Sequence, residues 1–404
     1  MRIQYSSSMN NAEIRKYYLF QALHSAEFFG PVIAVFWMSH GLSMTQIMLL
    51  QSSYAIATVF LELPTGAFAD RFGKKISLSI GLLSAALGMF FYGMSGQYWQ
   101  FLLSEIVIAF GYSFISGADS AFIHEILKQQ GREQEFSKVE GRARSLGYFT
   151  RAVCYLFSGL IATFSLSLTL IATGVSNLLS FFVTLTFAKH VETEPRHENT
   201  NYLQIIKDGV SLTLRTPEVL MLTVFFACFN SIVHINMWFS QPYMQFIGIP
   251  VIYFGFVASG FNVLNVVASS VIDKIEAFAK SRIFALLVAA SVVSLFLLTT
   301  VPSMAMLPLF GVLISTLTIS QVTVTRRVLG LIPSERAATV ISFQNLIRRF
   351  TYALIGPLFG LAADQLGIIW ALRINMLALI AFFGLFLLFK SRSIRTAIAS
   401  QEVA

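Results

Sequence analysis

The stretch LPTGAFADRFGKK, residues 63–75, gathers Asp70, Arg71, Lys74 and Lys75 within six positions of an otherwise apolar chain. The runs on either side, residues 45–68 and 76–95, each supply the roughly 20 mainly apolar residues that a helix needs to cross a bilayer. A knot of charge between two such runs reads as a short turn at a membrane surface. Its positive sign puts that turn on the cytoplasmic side, where loops retain lysine and arginine.

Composition carries the same message across all 404 residues. Hydrophobic residues make up 56% and charged residues 12%, against about a quarter charged in soluble domains. Mean hydropathy is +0.71, and Phe alone occurs 39 times. The apolar runs are long and continuous, unlike the short alternating segments of a transmembrane barrel. Cys154 and Cys228 lie in separate apolar runs, so neither a disulfide framework nor a metal cluster is expected. The opening MRIQYSSSMNNAEIRKYY is polar and offers no small-residue cleavage site, which reads as a retained terminus and not a signal peptide.

Apolar runs between charged or turn-rich breaks predict twelve spans, near residues 17–39, 45–68, 76–95, 99–127, 143–163, 166–188, 217–240, 251–272, 282–300, 303–325, 342–363 and 368–390. The longest polar stretch, KHVETEPRHENTNYLQIIKDGVSLTLRT, separates the sixth from the seventh. The expected organisation is a six-helix bundle over residues 1–190, a cytoplasmic central loop over 191–216 and a second six-helix bundle over 217–404. Putting both termini inside leaves only Arg373 near the opposite face and Arg151, Arg348 and Arg349 within spans, out of 28 basic residues. The net charge of +8 therefore follows from topology, and no nucleic-acid partner is called for.

The charged turn has a weaker copy between spans eight and nine, SSVIDKIEAFAKSR, in which Asp273–Lys274 matches Asp70–Arg71. Internal repeats of this kind build many secondary transporters, whose solute site lies near the midplane between the repeats.

Gly66, Asp70, Arg71, Gly73, Lys74 and Lys75 resemble the Gly-x-x-x-Asp-Arg-x-Gly-Arg/Lys-Arg/Lys loop of the major facilitator superfamily, and the six-plus-six layout agrees over the whole chain. The resemblance implies an all-α membrane protein of 12 transmembrane helices, in two pseudo-symmetric bundles around a central cavity, working by alternating access. Four further stretches are similar to a bacterial branch of drug and metabolite exporters: SGADSAFIHEIL (116–127), EGRARSLGYF (140–149), FSQPYMQFIGIP (239–250) and IPSERAATVISFQNLIRR (332–349). One pattern departs. The Gly-Pro-rich motif of the family's antiporters is absent from the fifth span, LGYFTRAVCYLFSGLIA, while a Gly-Pro pair stands in the eleventh at Gly356–Pro357.

In the family, the acid matching Asp70 locks the halves in the outward-open state. The resemblance thus implies a conformational latch of Gly66, Asp70, Arg71, Gly73, Lys74 and Lys75, with Asp273 in the copy. Glycine permits close helix approach and a tight reversal, and the cations can meet anionic lipid headgroups at about 1 kcal/mol each. The plainer reading is a topology anchor.

Ionisable groups at membrane depth are costly and mark function by default. Seven charged residues stand well away from the span ends: Glu27, Glu62, Glu105, Asp119, Arg151, Arg348 and Arg349. At 1.5 Å per residue, Glu62, Asp119 and Arg151 lie roughly 12 Å above the cytoplasmic boundary, and Glu27 comes nearest the midplane. The first half is acid-rich, and the second offers an arginine pair. Glu27 or Asp119 is expected to take up a coupling proton, with Arg348 or Arg349 meeting an anionic group on the cargo. The competing reading makes Asp119–Arg151 a structural ion pair, lets Glu62 cap a neighbouring helix, and lets one arginine snorkel to the cytoplasm. Glu105 reads as solvated near the outer face.

The first span also carries His24 and Trp37, and the seventh carries Asn230, His234, Asn236, Trp238 and Gln241. Asn230 and His234 share a helix face, and histidine titrates near neutral pH. The proton-coupling candidates are therefore Glu27, Asp119 and His234. The solute-binding candidates are Arg151, Arg348, Arg349, Asn230, His234, Trp238 and Gln241, with helix–helix hydrogen bonding as the alternative for each polar residue.

No nucleotide-binding loop, metal-ligand spacing or nucleophile–base spacing stands out, and the loops are too short for a catalytic domain. The chain reads as a transporter and not an enzyme, powered by a proton gradient without a cofactor. Its expected setting is the bacterial inner membrane, as a monomer among lipids with both termini cytoplasmic. Its expected partner is a small-molecule substrate: a drug-like compound or metabolite for export, or alternatively a carboxylate-bearing metabolite or siderophore moved in either direction. A non-transporting receptor or scaffold with the same fold is the remaining alternative.

Overall fold

The computed structural model describes residues 7–188 and 202–402, and no strand occurs among the described residues. The first apolar stretch forms two pieces, α1 (Ser7–His24) and α2 (Ile33–Ser39). There follow α3 (Met44–Phe72), α4 (Lys74–Met94), α5 (Tyr98–Ile115), α6 (Ala118–Gln129), α7 (Phe136–Phe164) and α8 (Leu166–Leu185). The second half comprises α9 (Tyr202–Arg215), α10 (Pro217–Phe246), α11 (Phe254–Ser270), α12 (Ile272–Ala279), α13 (Ile283–Thr300), α14 (Pro308–Leu329), α15 (Ser334–Leu366) and α16 (Ile368–Glu402).

Eleven helical segments among the described residues are long and apolar enough to cross a membrane. The remaining expected span, residues 17–39, is the one that breaks in two. Large apolar side chains such as Phe182, Val293, Phe296, Leu377 and Leu385 stand about half exposed, a surface that a soluble protein would bury or pair and that lipid covers here. Within the expected central loop, residues 191–201 lie outside the described residues. Residues 202–215 form the helix α9, whose Gly209 lies against Thr339 and Phe343 of α15.

Over the described residues the chain divides into two compact units. One comprises Met1–His40, Ser53–Glu198 and Val251–Ser259; the other comprises Gly41–Ser52, Asn199–Pro250 and Gly260–Ala404. In the first, α4 packs between α5 and α8, and α1 packs against α7 and α8. Its core gathers Tyr17, Phe20, Leu78, Leu82, Phe122, Ile126 and Phe187. In the second, α10 packs against α14, α15 and α16, with a ring cluster of Phe225, Phe229, Phe284 and Phe386. α3 contributes its first turns, through Ser52, to the second unit and the rest to the first. Asp364 of α15 caps that start: its carboxylate accepts Met44 N–H at 2.7 Å, Thr45 N–H at 2.9 Å and the Thr45 hydroxyl at 2.6 Å.

The charged stretch turns the chain at a single residue. α3 continues through Phe72 and α4 starts at Lys74, leaving Gly73 between them at φ 96°, a conformation that costs an L side chain roughly 1–2 kcal/mol. Asp70 pairs with Lys74. Lys75 reaches across to the end of α8 and donates to the carbonyls of Leu185 at 3.0 Å and Phe187 at 2.5 Å. Lys16 of α1 donates to Thr186 there at 2.8 Å. Two cations thus satisfy the carbonyls that a helix C-terminus leaves open, so Lys75 serves a helix end where the sequence suggested lipid headgroups. Arg71 lies over the Phe72 ring at 5.4 Å. Gly66 is not at a close helix contact: an added Cβ would meet nothing within 4 Å. In the copy, Asp273 and Glu276 of α12 receive Arg326 from the end of α14 at 2.5 and 3.0 Å.

Candidate functional site

Residues 25–32, SAEFFGPV, leave the helical path between α1 and α2. Pro31 accounts for the break, because it brings no N–H to the helical ladder and its ring crowds the preceding turn. Non-helical backbone at membrane depth persists only where protein or a water-filled cavity satisfies it. Here the Thr173 hydroxyl of α8 accepts Phe28 N–H at 2.9 Å, and Val32 N–H reaches Phe29 O.

Glu27 sits in this unwound segment. The Tyr155 hydroxyl of α7 donates to its Oε1 at 2.8 Å, and Arg151, one turn earlier on α7, holds Nε 3.8 Å from its Oε2. The second distance is an ion pair but too long for a hydrogen bond, and that Nε makes none. The Glu27 side chain is 21% exposed. Gly30 makes the contact possible: a Cβ there would lie 2.5 Å from both Glu27 Oε1 and the Tyr155 hydroxyl. The carboxylate is thus held in the helix break by one donated hydrogen bond and a loosely spaced cation.

The second unit repeats part of the pattern. Arg348 and Tyr352 stand four apart on α15, as Arg151 and Tyr155 do on α7. Tyr352 packs edge-on against His234 of α10 at 5.3 Å between ring centres. The Arg348 carbonyl accepts the hydroxyl of Ser231, three residues before His234 on α10, at 3.0 Å. Each unit therefore sets an Arg-x-x-x-Tyr face of one helix beside an ionisable residue of its leading span. The sequence shows both five-residue stretches, RAVCY at 151–155 and RRFTY at 348–352, but their likeness is independent of the Asp70 and Asp273 repeat.

A sequence model described as Major Facilitator Superfamily matches residues 19–354. The chain belongs to the major facilitator superfamily. Among curated proteins it is similar to the MFS-type transporter YxaM of Bacillus subtilis (strain 168), at 24% identity over 52% of this chain and 53% of that one. It is also similar to Multidrug resistance protein 1 of the same organism, at 27% identity over 28% of this chain and 26% of that one. The aligned part spans about half the length of the first of these relatives and about a quarter of the second. Solved structures share the fold over nearly the whole chain. The nucleoside transporter NupG aligns with a TM-score of 0.73 at 17% identity, covering 95% of this chain and 98% of that one. A bacterial homologue of the human lysosomal transporter Spinster, in an inward-facing and unoccupied conformation, aligns with a TM-score of 0.73 at 14% identity, covering 95% of this chain and 97% of that one. The expected fold, an all-α membrane protein of the family's architecture, is what these findings show.

Within that fold the other candidate residues are placed as follows. Asp119, in the first turn of α6, accepts Ser120 N–H at 2.7 Å and Gln21 Nε2 at 3.3 Å, and Arg151 faces Glu27 where an Asp119–Arg151 pair was the alternative. Asn230 is buried and donates to Ser320 of α14 at 3.1 Å, so it faces a different neighbour from His234. Gln241 is buried, Trp238 and Arg349 are half-buried, and Glu62 is exposed on α3. The solvated reading of Glu105 does not hold: it is 5% exposed and accepts the Tyr92 hydroxyl at 2.7 Å, because the residues around it on α5 pack inward against α4. Sequence reasoning also passed over Glu140. Its carboxylate is buried and takes the Tyr17 hydroxyl at 2.8 Å, the Ser120 hydroxyl at 2.7 Å and Arg144 Nε at 2.7 Å.

Proposed function

We propose that this chain is a secondary active transporter of the bacterial inner membrane, with both termini cytoplasmic, that moves a small organic solute by alternating access. Protonation of Glu27 couples the solute to the proton gradient, and the direction is export of a drug-like compound or metabolite. The observation that carries this reading is Glu27 in the unwound segment between α1 and α2, hydrogen-bonded by Tyr155 and 3.8 Å from Arg151. Broken helices are where secondary transporters build solute and ion sites. A proton bound at Glu27 removes the charge that attracts Arg151, so protonation and the α1–α7 contact are linked. The likeness to a multidrug resistance protein supports export. No cofactor enters this account; the gradient supplies the energy, and a monomer among lipids contains every group invoked. Asp119 and His234 stand as further proton-binding candidates on the two sides of the repeat.

A second reading has its own observation. Arg348 and Arg349 lie at membrane depth on α15, and Tyr352, one turn after Arg348, packs against His234. A cationic face of this kind suits a carboxylate-bearing metabolite or siderophore.

Purified protein in proteoliposomes, with ethidium as the probe and a pH-sensitive dye in the lumen, separates the readings. Under an imposed pH gradient, ethidium moves against its own gradient with opposed proton flux, and collapsing the pH gradient stops both. Movement of benzoate in place of ethidium, lost in Arg348→Ala, would establish the carboxylate reading instead. Binding of either probe with no accumulation would leave a receptor.

A further inference from the structure

Each half of the broken first span is tied by an aromatic side chain to a buried carboxylate, and Glu27 lies between the two ties. In α2, Trp37 Nε1 donates to the Tyr92 hydroxyl at 2.8 Å, and that hydroxyl donates to Glu105 Oε1 at 2.7 Å. An indole N–H can only donate, so the proton of Tyr92 must point at Glu105. Trp37, Tyr92 and Glu105 are 1%, 2% and 5% exposed, and the rings of Phe36 and Phe101 close around Tyr92. In α1, the Tyr17 hydroxyl donates to Glu140 Oε2 at 2.8 Å. Gln21, one turn on, donates to the Tyr17 oxygen at 3.1 Å and to Asp119 at 3.3 Å.

Stability alone is a weak reason for such groups. A carboxylate out of water costs several kcal/mol unless fully satisfied, and apolar side chains of similar size would pack the same space at no such cost. A directed hydrogen bond adds position, because it fixes both the rotation and the height of the helix that carries it. Position is what the first span lacks. No continuous ladder of backbone hydrogen bonds joins α1 to α2 across residues 25–32, so the backbone does not set their register. The Glu27 contact needs that register, since Gly30 and Tyr155 leave no room for even one added methyl.

We infer that Trp37–Tyr92–Glu105 and Tyr17–Glu140 are positioning groups that hold α2 and α1 in the register that keeps Glu27 on Tyr155. They act through Glu27, and the inference rests on the reading of Glu27 as the coupling group. The arrangement also explains why each tie ends on a different helix pair: α4 and α5 for α2, and α6 and α7 for α1. The two half-helices are thereby fixed independently, and the segment between them is left to carry the chemistry.

The test reads the register directly. Spin labels at Leu19→Cys on α1 and Met38→Cys on α2, both exposed positions, in a Cys154→Ser, Cys228→Ser background, report the separation of the two half-helices by pulsed electron paramagnetic resonance. The parent and Glu27→Gln give one narrow distribution. Glu105→Leu, Tyr92→Phe and Tyr17→Phe broaden or displace it, and Glu105→Gln, which keeps an acceptor oxygen for Tyr92, restores the parent distribution. Trp37→Phe, which removes the indole N–H together with part of the ring, replaces any carboxylate variant that fails to fold. In proton-driven transport of ethidium, the tie variants lower turnover about tenfold with KM within about twofold of the parent, the split expected when solute binding is untouched. A parent-like distribution in both Glu105→Leu and Tyr17→Phe overturns the inference, as does equal damage from Glu105→Leu and Glu105→Gln. If Glu27→Gln leaves coupling unchanged, the functional reading of Glu27 fails, while the distance measurement still decides whether the ties set the register.

Discussion

Gly30 shows how narrowly the Glu27 site is drawn. Its missing side chain is the space into which Glu27 Oε1 and the Tyr155 hydroxyl converge, each 2.5 Å from where a Cβ would stand. Gly30→Ala is expected to separate that pair and lower proton-coupled ethidium flux about tenfold, and Tyr155→Phe, which removes the donor without adding bulk, is expected to match it, a hydrogen bond to a charged group being worth roughly 1.5–3 kcal/mol. Initial rates in proteoliposomes check this; parent-like flux in both variants would remove the hydrogen bond from the account. The sequence makes Glu27 and Arg151 legible as charges where charge is costly, but not as partners. Pairing depends on rotation about α7, and Arg151 turns toward Glu27 on α1's broken end and not toward Asp119. Glu140 and Tyr155 were illegible for a related reason: each looks ordinary along the chain and acquires meaning only from the helix opposite.

Helix ends decide much of how the elements meet. The Gly30–Pro31 dipeptide is a breaker signal that the apolar run around it masks, and so the sequence predicts one span where the structure holds α1 and α2. The charged turn was better marked, since Gly73 between Phe72 and Lys74 is where only glycine is at ease with φ 96°. Lys75 and Lys16 occupy the carbonyl end of α8, and Asp364 occupies the amide end of α3. Lys75→Ala should therefore lower the thermal midpoint in detergent by the equivalent of about 0.5–1 kcal/mol. Asp364→Ala should cost about 1 kcal/mol, and Asp364→Asn only part of that, because asparagine still caps. Differential scanning fluorimetry on the purified variants tests both, and unchanged midpoints would mean that these ends are satisfied by water.

At the scale of the whole molecule, the family and the all-α fold were the most legible features. Twelve apolar runs, an asymmetric distribution of arginine and lysine, and the repeated Asp70–Arg71 and Asp273–Lys274 pairs are long-range regularities that survive local error. Trp99 and Trp370 stand 57% and 54% exposed, and Arg373 lies over the Trp370 ring at 4.7 Å, as expected of aromatic side chains at a membrane–water boundary. In the sequence, each stands in a stretch poor in basic residues. The cargo is far less legible, because it is set by a few polar side chains whose neighbours come from other helices. Proton coupling through Glu27 is the claim on which the functional account turns. The most direct test measures luminal pH during ethidium transport by the parent and by Glu27→Gln in the same proteoliposomes. Opposed proton and ethidium fluxes are expected in the parent, and ethidium exchange without proton movement in Glu27→Gln; equal proton flux in the two would remove Glu27 from coupling.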